Sequence, residues 1–260
     1  MNPFSFADAI PHWQVLVART PLIHVLTNPL AIHFSANALL AAGASPAMVE
    51  AEQEVPRFTA LAANLLINVG TLHDGRLAAM RKAAQTAQAH GKPWVLDPVA
   101  VGNVLAYRTD FARELMTYRP AVIRGNAAEI LFLAGEKSAQ RGADSLSGSE
   151  EALPAAQALA KAQDGVVVVT GERDFITNGT DTFYTTGGDV RQTRLTACGC
   201  TLSALVAAFV APAVADGDVL AASAAACAVM KKAGDQASCA RGMGEFAARL
   251  MDGLSWENGL

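Results

Sequence analysis

Apolar and polar positions along the chain fall into a repeating two-part pattern. Short runs dominated by apolar residues, Leu22 to Leu26, Leu65 to Val69, Trp94 to Leu96, Ala121 to Arg124 and Val166 to Val169, alternate with longer Ala-rich stretches. None of the short runs alternates apolar and polar residues strictly. A strand without that alternation is apolar on both faces, as strands are in a parallel sheet covered by helices on each side. The intervening stretches Ser35 to Ala42, Gly75 to His90, Ala127 to Leu133 and Glu150 to Gln163 have the length and composition of helices. The pattern therefore predicts an α/β fold built on a doubly wound, mostly parallel sheet with helices on both faces. Phe183 to Leu195 departs from it and reads as a short hairpin turning at Gly187-Gly188. Beyond that point the chain is predicted to be nearly all helical to Leu250. The stretch Glu136 to Gly148 mixes Ser, Gly and charges and reads as a surface loop. No repeat or composition break divides the chain, so residues 1–260 are expected to form one domain.

Composition narrows the function. The 260 residues are 52% hydrophobic and 17% charged, enough for a large core. The positive mean hydropathy also predicts that some apolar surface is covered by other subunits. Net charge is −4, with Lys and Arg scattered, which argues against a nucleic-acid or anionic-membrane surface and for small-molecule chemistry. The four cysteines, Cys198, Cys200, Cys227 and Cys239, fit neither a disulfide framework nor paired zinc knuckles. Reduced thiols in a cytoplasmic protein are expected. Met1 to Trp13 lacks the basic and apolar regions of a signal peptide. Leu202 to Ala215, interrupted by Ser203 and Pro212, is too short to span a bilayer.

In a doubly wound sheet, ligands bind beyond the carboxyl ends of the strands. Here those ends read Thr27-Asn28, Asn68-Val69-Gly70, Asp97-Pro98, Arg124-Gly125-Asn126 and Thr170-Gly171. Each is also an ordinary turn starter. Asp97 and Glu129 together offer hard oxygen ligands suited to Mg²⁺, although Asn126 and Glu129 also have the spacing of a capping box. The Arg124 fork suits a phosphate or a local carboxylate. The Thr170 hydroxyl suits a phosphate or a turn cap. Thr196-Ala197-Cys198-Gly199-Cys200-Thr201 precedes a long Ala-rich run, so its amides and the positive helix end form an anion site. At that helix end the dipole is expected to lower the Cys200 pKa and activate the thiol. The same residues equally suit a plain turn with two buried structural cysteines.

Taken in order, Asp97-Pro98, Arg124-x-Asn126-x-x-Glu129, Val167-Val168-Val169-Thr170-Gly171 and the cysteine-bearing turn resemble the ribokinase-like kinases. More narrowly, His24-Val25-Leu26-Thr27-Asn28 and Asn37 to Met48, with its Gly43-Ala44-Ser45-Pro46-Ala47-Met48 string, resemble the opening of the hydroxyethylthiazole kinase family. The resemblance runs from about Thr20 to Arg249. It implies a ribokinase-like three-layer sandwich and ATP-dependent phosphorylation of the primary alcohol of 4-methyl-5-(2-hydroxyethyl)thiazole, in thiamine biosynthesis or salvage. It further implies that Asp97 and Glu129 organise Mg²⁺, that Arg124, Asn126 and Thr170 contact ATP, and that Asn28 and Met48 contact the thiazole. Amides from Ala197 to Cys200, Gly199 included, would hold the transferred group, with Cys200 hydrogen-bonded to the alcohol. The pocket would lie at a subunit boundary of a homotrimer.

The chain departs from the family where Ala197 replaces the usual glycine, which is harmless only if the turn does not need positive φ there. Most ribokinase-like enzymes also carry aspartate where this chain has Cys200. Within the same fold, a hydroxymethylpyrimidine kinase or a nucleotide-hydrate dehydratase shares the phosphate-handling parts. A thiol-nucleophile enzyme using Cys198 or Cys200 with one of the five histidines is a second alternative. A dinucleotide oxidoreductase is disfavoured, because Thr27-Asn28-Pro29-Leu30 holds no Gly-x-Gly-x-x-Gly. Trp13, Trp94 and Trp256 are expected as packing anchors and His33 as an interface or core histidine. Lys231-Lys232 is expected as a solvated helix patch, and Cys227 and Cys239 as buried thiols.

Overall fold

The computed structural model describes residues 1–135, 148–213 and 217–258. Except for Gly148, the expected loop at Glu136 to Gly148 lies outside the described residues. The strands are β1 (Asn2–Pro3), β2 (Leu22–Leu26), β3 (Ser45–Ala47), β4 (Asn64–Asn68), β5 (Trp94–Asp97), β6 (Val122–Asn126), β7 (Val166–Thr170), β8 (Asp174–Thr177) and β9 (Thr182–Thr185). The helices are α1 (Phe6–Arg19), α2 (Ile32–Ala42), α3 (Val55–Leu61), α4 (Asp74–Ala89), α5 (Ala106–Met116), α6 (Ala127–Leu133), α7 (Leu153–Gln163), α8 (Cys198–Ala213), α9 (Val219–Ala237) and α10 (Met243–Gly253). They build one sheet in the order β1-β9-β8-β7-β6-β5-β4-β2-β3. Every pairing is parallel except those of β8 with β7 and β9.

The apolar strands are buried on both faces because successive side chains point to opposite sides. Val25, Leu66, Val95, Val122 and Val168 join the core under α1, α2, α8, α9 and α10. Leu65, Ile67, Leu96, Ile123, Val167 and Val169 join the opposite core, under α4 to α7. Trp13 is fully buried, with its Nε1 donating to the Ala42 carbonyl at 2.9 Å and its ring meeting Trp256 edge-on at 5.3 Å. Truncating such an indole costs about 3–5 kcal/mol. Trp94 is likewise buried and donates to the Tyr118 carbonyl.

The hairpin is not where the alternation placed it. Strands β8 and β9 form it, turning through Asn178 and Gly179, while Val190–Arg194 is a 3₁₀ turn. Asp189 caps that turn by accepting from the Arg191 amide at 2.8 Å. Gly187 and Gly188 do take positive φ, 104° and 85°, but they serve to bring the chain against α9. There the Gly188 amide donates to Asp235 Oδ1 at 2.7 Å. The diglycine was therefore a sign of close backbone approach rather than of a hairpin.

Candidate active site

Because β2, β4, β5, β6 and β7 run parallel, their carboxyl ends meet along one edge. Strand β3 pairs with one side of β2 and β4 with the other, so the winding direction reverses at β2. A crevice opens at such a reversal. Asn28 and Asn68 stand at the ends of the two strands that flank it, and Asn28 Nδ2 donates to Asn68 Oδ1 at 3.1 Å.

Helix α8 begins over this edge. Its first bond runs from the Thr201 amide to the Ala197 carbonyl at 2.8 Å, leaving the Gly199 and Cys200 amides without acceptors inside the helix. The Cys198 amide, expected to join them, instead donates to the Leu195 carbonyl at 3.2 Å. Arg124, nine-tenths buried, lies beneath the turn, with Nη1 only 3.0 Å from where a Cβ on Gly199 would stand. Its Nη2 donates to Thr170 Oγ1 at 2.7 Å, and its Nε is buried with no partner. Burial works against the guanidinium charge, but Asp97, Glu129 and Asp174 hold its pKa up. A fixed cation with an unmet donor under a helix N-terminus has the chemistry to hold an anion. A cavity of about 790 Å³ opens beside it, with Arg124, Asn126, Thr170, Gly199, Asp174 and Lys231 on its wall.

Asp97 is 1% exposed; its Oδ2 accepts from Asn68 Nδ2 at 2.7 Å and from Ser203 Oγ at 2.8 Å. Burial raises its pKa, against Arg124 and these donors. Of the two roles expected for Glu129, the capping box is the one the structure contains. It closes the capping box of α6, its Oε2 accepting from the Asn126 amide at 2.8 Å, while Oε1 accepts from the Ala100 amide at 2.7 Å. Its pKa is raised by burial first and then by the charge of Asp97. Two buried acids that repel each other, sharing one arginine, suit a hard cation that keeps waters and phosphate oxygens as further ligands. Among the described residues no cage of three or more His, Cys, Asp or Glu exists. The donor set thus fits Mg²⁺ held mainly through its waters and a nucleotide.

The thiol departs from expectation. Cys200 Sγ accepts from Asn28 Nδ2 and Asn68 Nδ2, each at 3.3 Å, yet its pKa is pushed up to about 11, by burial first and by Asp97 second. Desolvation and a neighbouring carboxylate outweigh the helix end. Cys198 is pushed up to about 11 by burial as well. Neither thiol is an activated nucleophile.

A model of the "Hydroxyethylthiazole kinase family" matches residues 14–257. The chain belongs to the hydroxyethylthiazole kinase family. It is 50% identical over 255 residues to a hydroxyethylthiazole kinase of Yersinia enterocolitica, covering 98% of this chain and 96% of the relative. The hydroxyethylthiazole kinase structure from Pyrococcus horikoshii superposes with a TM-score of 0.85 at 34% identity, over 95% of this chain and 92% of that one. A Bacillus subtilis pyridoxal kinase solved with ADP superposes with a TM-score of 0.59 at 17% identity, covering 83% and 91% of the two chains, which shows the ribokinase-like fold alone. As a member of the hydroxyethylthiazole kinase family this chain is an ATP-using phosphotransferase of thiamine salvage. The pyrimidine-kinase and thiol-enzyme alternatives are not favoured. No described helix is long and apolar enough to cross a membrane.

For a hydroxyethylthiazole kinase the placement of the sequence-derived candidates divides in two. Arg124, Asn126, Thr170 and Gly199 share the cavity wall. Asn28, Asp97 and Cys200 are joined through Asn68 in a hydrogen-bonded group outside that wall. Met48 lies just past edge strand β3, half-buried against the first core. Ala197 precedes α8 with φ of +72°, so the condition on which its harmlessness rested is not met.

Three other expectations are narrowed or corrected. Of the two places expected for His33 the core is excluded, since the residue is exposed with its ring meeting Asn37, and Cys239 is exposed rather than buried. Lys231 is not a solvated residue: it is 9% exposed and faces the cavity. Asn68, expected at a strand end with no role given to it, is the residue that joins Asn28, Asp97 and Cys200. Lys231, on the cavity wall, is the position the pattern misplaced, and its signal was a place one turn after Cys227 on the apolar side of an otherwise Ala-rich helix.

Proposed function

We propose that this kinase, acting as one catalytic domain over residues 1–260, holds Mg²⁺–ATP across the cavity and the Asp97–Glu129 pair, with the acceptor alcohol beside Cys200. The observation that carries this reading is Arg124, buried with an unmet Nε donor under the Gly199 turn. In a loose phosphoryl-transfer transition state, charge spreads over the equatorial oxygens of the migrating group. The Gly199 and Cys200 amides and the Arg124 fork meet that charge, and Thr170, which accepts from Arg124 and donates to the Gly125 carbonyl at 3.3 Å, turns its hydroxyl from that carbonyl to a nucleotide phosphate. Asp97 and Glu129 would hold Mg²⁺, which supplies neutralising charge to the phosphates. Asn28, fixed by the Leu30 amide at 3.1 Å and by Asn68, orients the acceptor side. Cys200, un-ionised at neutral pH, positions the alcohol by a hydrogen bond. A primary alcohol needs little prior deprotonation in so loose a transition state.

The acceptor pocket is read as completed by a neighbouring subunit of a homotrimer. Leu30, Leu40 and Leu61 are 73%, 60% and 69% exposed and belong to the segments around edge strand β3, where Met48 lies. Bare leucines beside an open strand edge favour a subunit contact. Four free thiols suit a reducing cytoplasm as the place of action. The test is a coupled ADP-release assay with hydroxyethylthiazole, with a hydroxymethylpyrimidine, and without acceptor, each with and without Mg²⁺. Turnover that requires both thiazole and metal supports the reading. Equal turnover with the pyrimidine, or none that depends on Mg²⁺, defeats it.

A further inference from the structure

The turn between β7 and β8 presents three oxygens to one point. The Gly171 and Glu172 carbonyls and Asp174 Oδ1 lie 2.7, 2.9 and 3.3 Å from Lys231 Nζ. Each N–H of the ammonium therefore has an acceptor. The group is almost dry, with Lys231 9% and Asp174 3% exposed. Neighbouring carbonyls aimed the same way repel one another unless a cation stands between them, and carbonyl cages of this kind replace the hydration shell of K⁺ in other proteins. An ammonium is close to K⁺ in size and charge. The lysine stem reaches the cage across the cavity edge, packed so tightly that a Cβ on Gly188 would stand 3.2 Å from Lys231 Cδ. Across the turn, the Gly171 amide donates to Asp174 Oδ1 at 3.0 Å. Thr170, which Arg124 grips, is the residue just before these carbonyls.

We propose that Lys231 is a tethered monovalent cation: its ammonium occupies a K⁺-like oxygen cage that holds the Thr170–Asp174 turn in its nucleotide-binding shape. This rests on the kinase reading above and adds to it a positioning residue from α9. With its protons committed to the cage, Lys231 acts on the nucleotide through the turn rather than by direct contact. The enzyme then needs no free K⁺ to bind ATP. Removing the ammonium empties a cage suited to K⁺ or NH₄⁺ and too wide for Li⁺.

The experiment measures Mg²⁺–ATP binding by calorimetry for the parent and for Lys231→Met. Choline chloride is replaced by KCl, NH₄Cl or LiCl at constant ionic strength. The parent is expected to bind equally in all four salts. Lys231→Met is expected to bind about tenfold more weakly in choline, since one partner of a buried pair has been removed. At least about fivefold should return with K⁺ or NH₄⁺ and not with Li⁺, the size of a modest coupling between two sites. Parent affinity that depends on K⁺, a variant that binds as the parent does in choline, or a loss that is the same in every salt each overturn the proposal. If Lys231→Met does not fold in choline, recovery of a cooperative melt in K⁺ or NH₄⁺ supports the cage, and a chain unfolded in every salt refutes it. A parent that binds no Mg²⁺–ATP at all would instead overturn the kinase site itself.

Discussion

Replacing Ala197 with glycine should make this protein more stable, although the change removes a methyl group. Ala197 stands at φ of +72°, where the Cβ of an L-residue crowds the following carbonyl, at a cost of about 1–2 kcal/mol. Glycine removes that strain but gives the unfolded chain more freedom, which opposes the gain by about 0.4–1 kcal/mol. The difference leaves a net stabilisation of about 0.5–1 kcal/mol. For a chain of this length that is roughly one to four degrees in Tm. Denaturant titration and scanning calorimetry of parent and variant read it directly. The control is Ala204→Gly inside α8, where φ is helical and the same substitution should cost about 1 kcal/mol or more. If Ala197→Gly lowers stability as the control does, the positive φ carries no strain and the reasoning fails. Turnover belongs in the same comparison, because the strained residue immediately precedes the helix whose Gly199 amide faces Arg124.

Cys200→Ser should keep turnover within about tenfold, because a thiol with a pKa of about 11 is ionised in about one molecule in ten thousand at pH 7 and cannot serve as the main base. A loss of a hundredfold or more, the contribution of a true general base, would return that role to the thiol. Arg124→Lys should raise KM for ATP by about tenfold or more, since an ammonium cannot hold Thr170 Oγ1 and still present a second arm at Gly199. An unchanged KM would remove Arg124 from the phosphate site. His24 supplies a pH test. Its Nε2 donates to the Val49 carbonyl at 2.8 Å, and its Nδ1 lies 2.9 Å from Thr59 Oγ1, a hydroxyl that donates to the neutral ring. Burial lowers its pKa below 6.5, so the unfolded chain takes up the proton first. The stability His24 contributes is present above about pH 6.5 and lost as pH falls below it. Melting curves from about pH 7.5 to 5.5 should fall more for the parent than for His24→Gln, and parallel curves would show that His24 does not titrate on unfolding.

Much of the site was legible because its signals are local. A β-rich run followed at once by a polar residue marks a strand end, and in a parallel sheet every strand end falls on one edge. That places Asn28, Asp97, Arg124, Asn126 and Thr170 along one edge from the sequence pattern. The capping box of Asn126 and Glu129 was equally local, since its partners are three residues apart. Contacts that join distant segments were not legible. Lys231 reads as one of two surface lysines until α9 is laid beside the β7–β8 turn, sixty positions earlier in the chain. The helix end that should have activated Cys200 is a sequence property, whereas the burial and the Asp97 charge that reverse the shift come from other elements and outweigh the hydrogen bonds of Asn28 and Asn68, which lower it. The φ of Ala197 was likewise set by how the 3₁₀ turn must enter α8, not by alanine's own preference. The sequence by itself determined the alternation of strands and helices and the chemical kinds of group at the sheet edge, because period and residue type act over a few neighbours. Which of those groups are dry, paired or strained was decided only in the tertiary structure, because desolvation and electrostatic fields depend on everything packed around them.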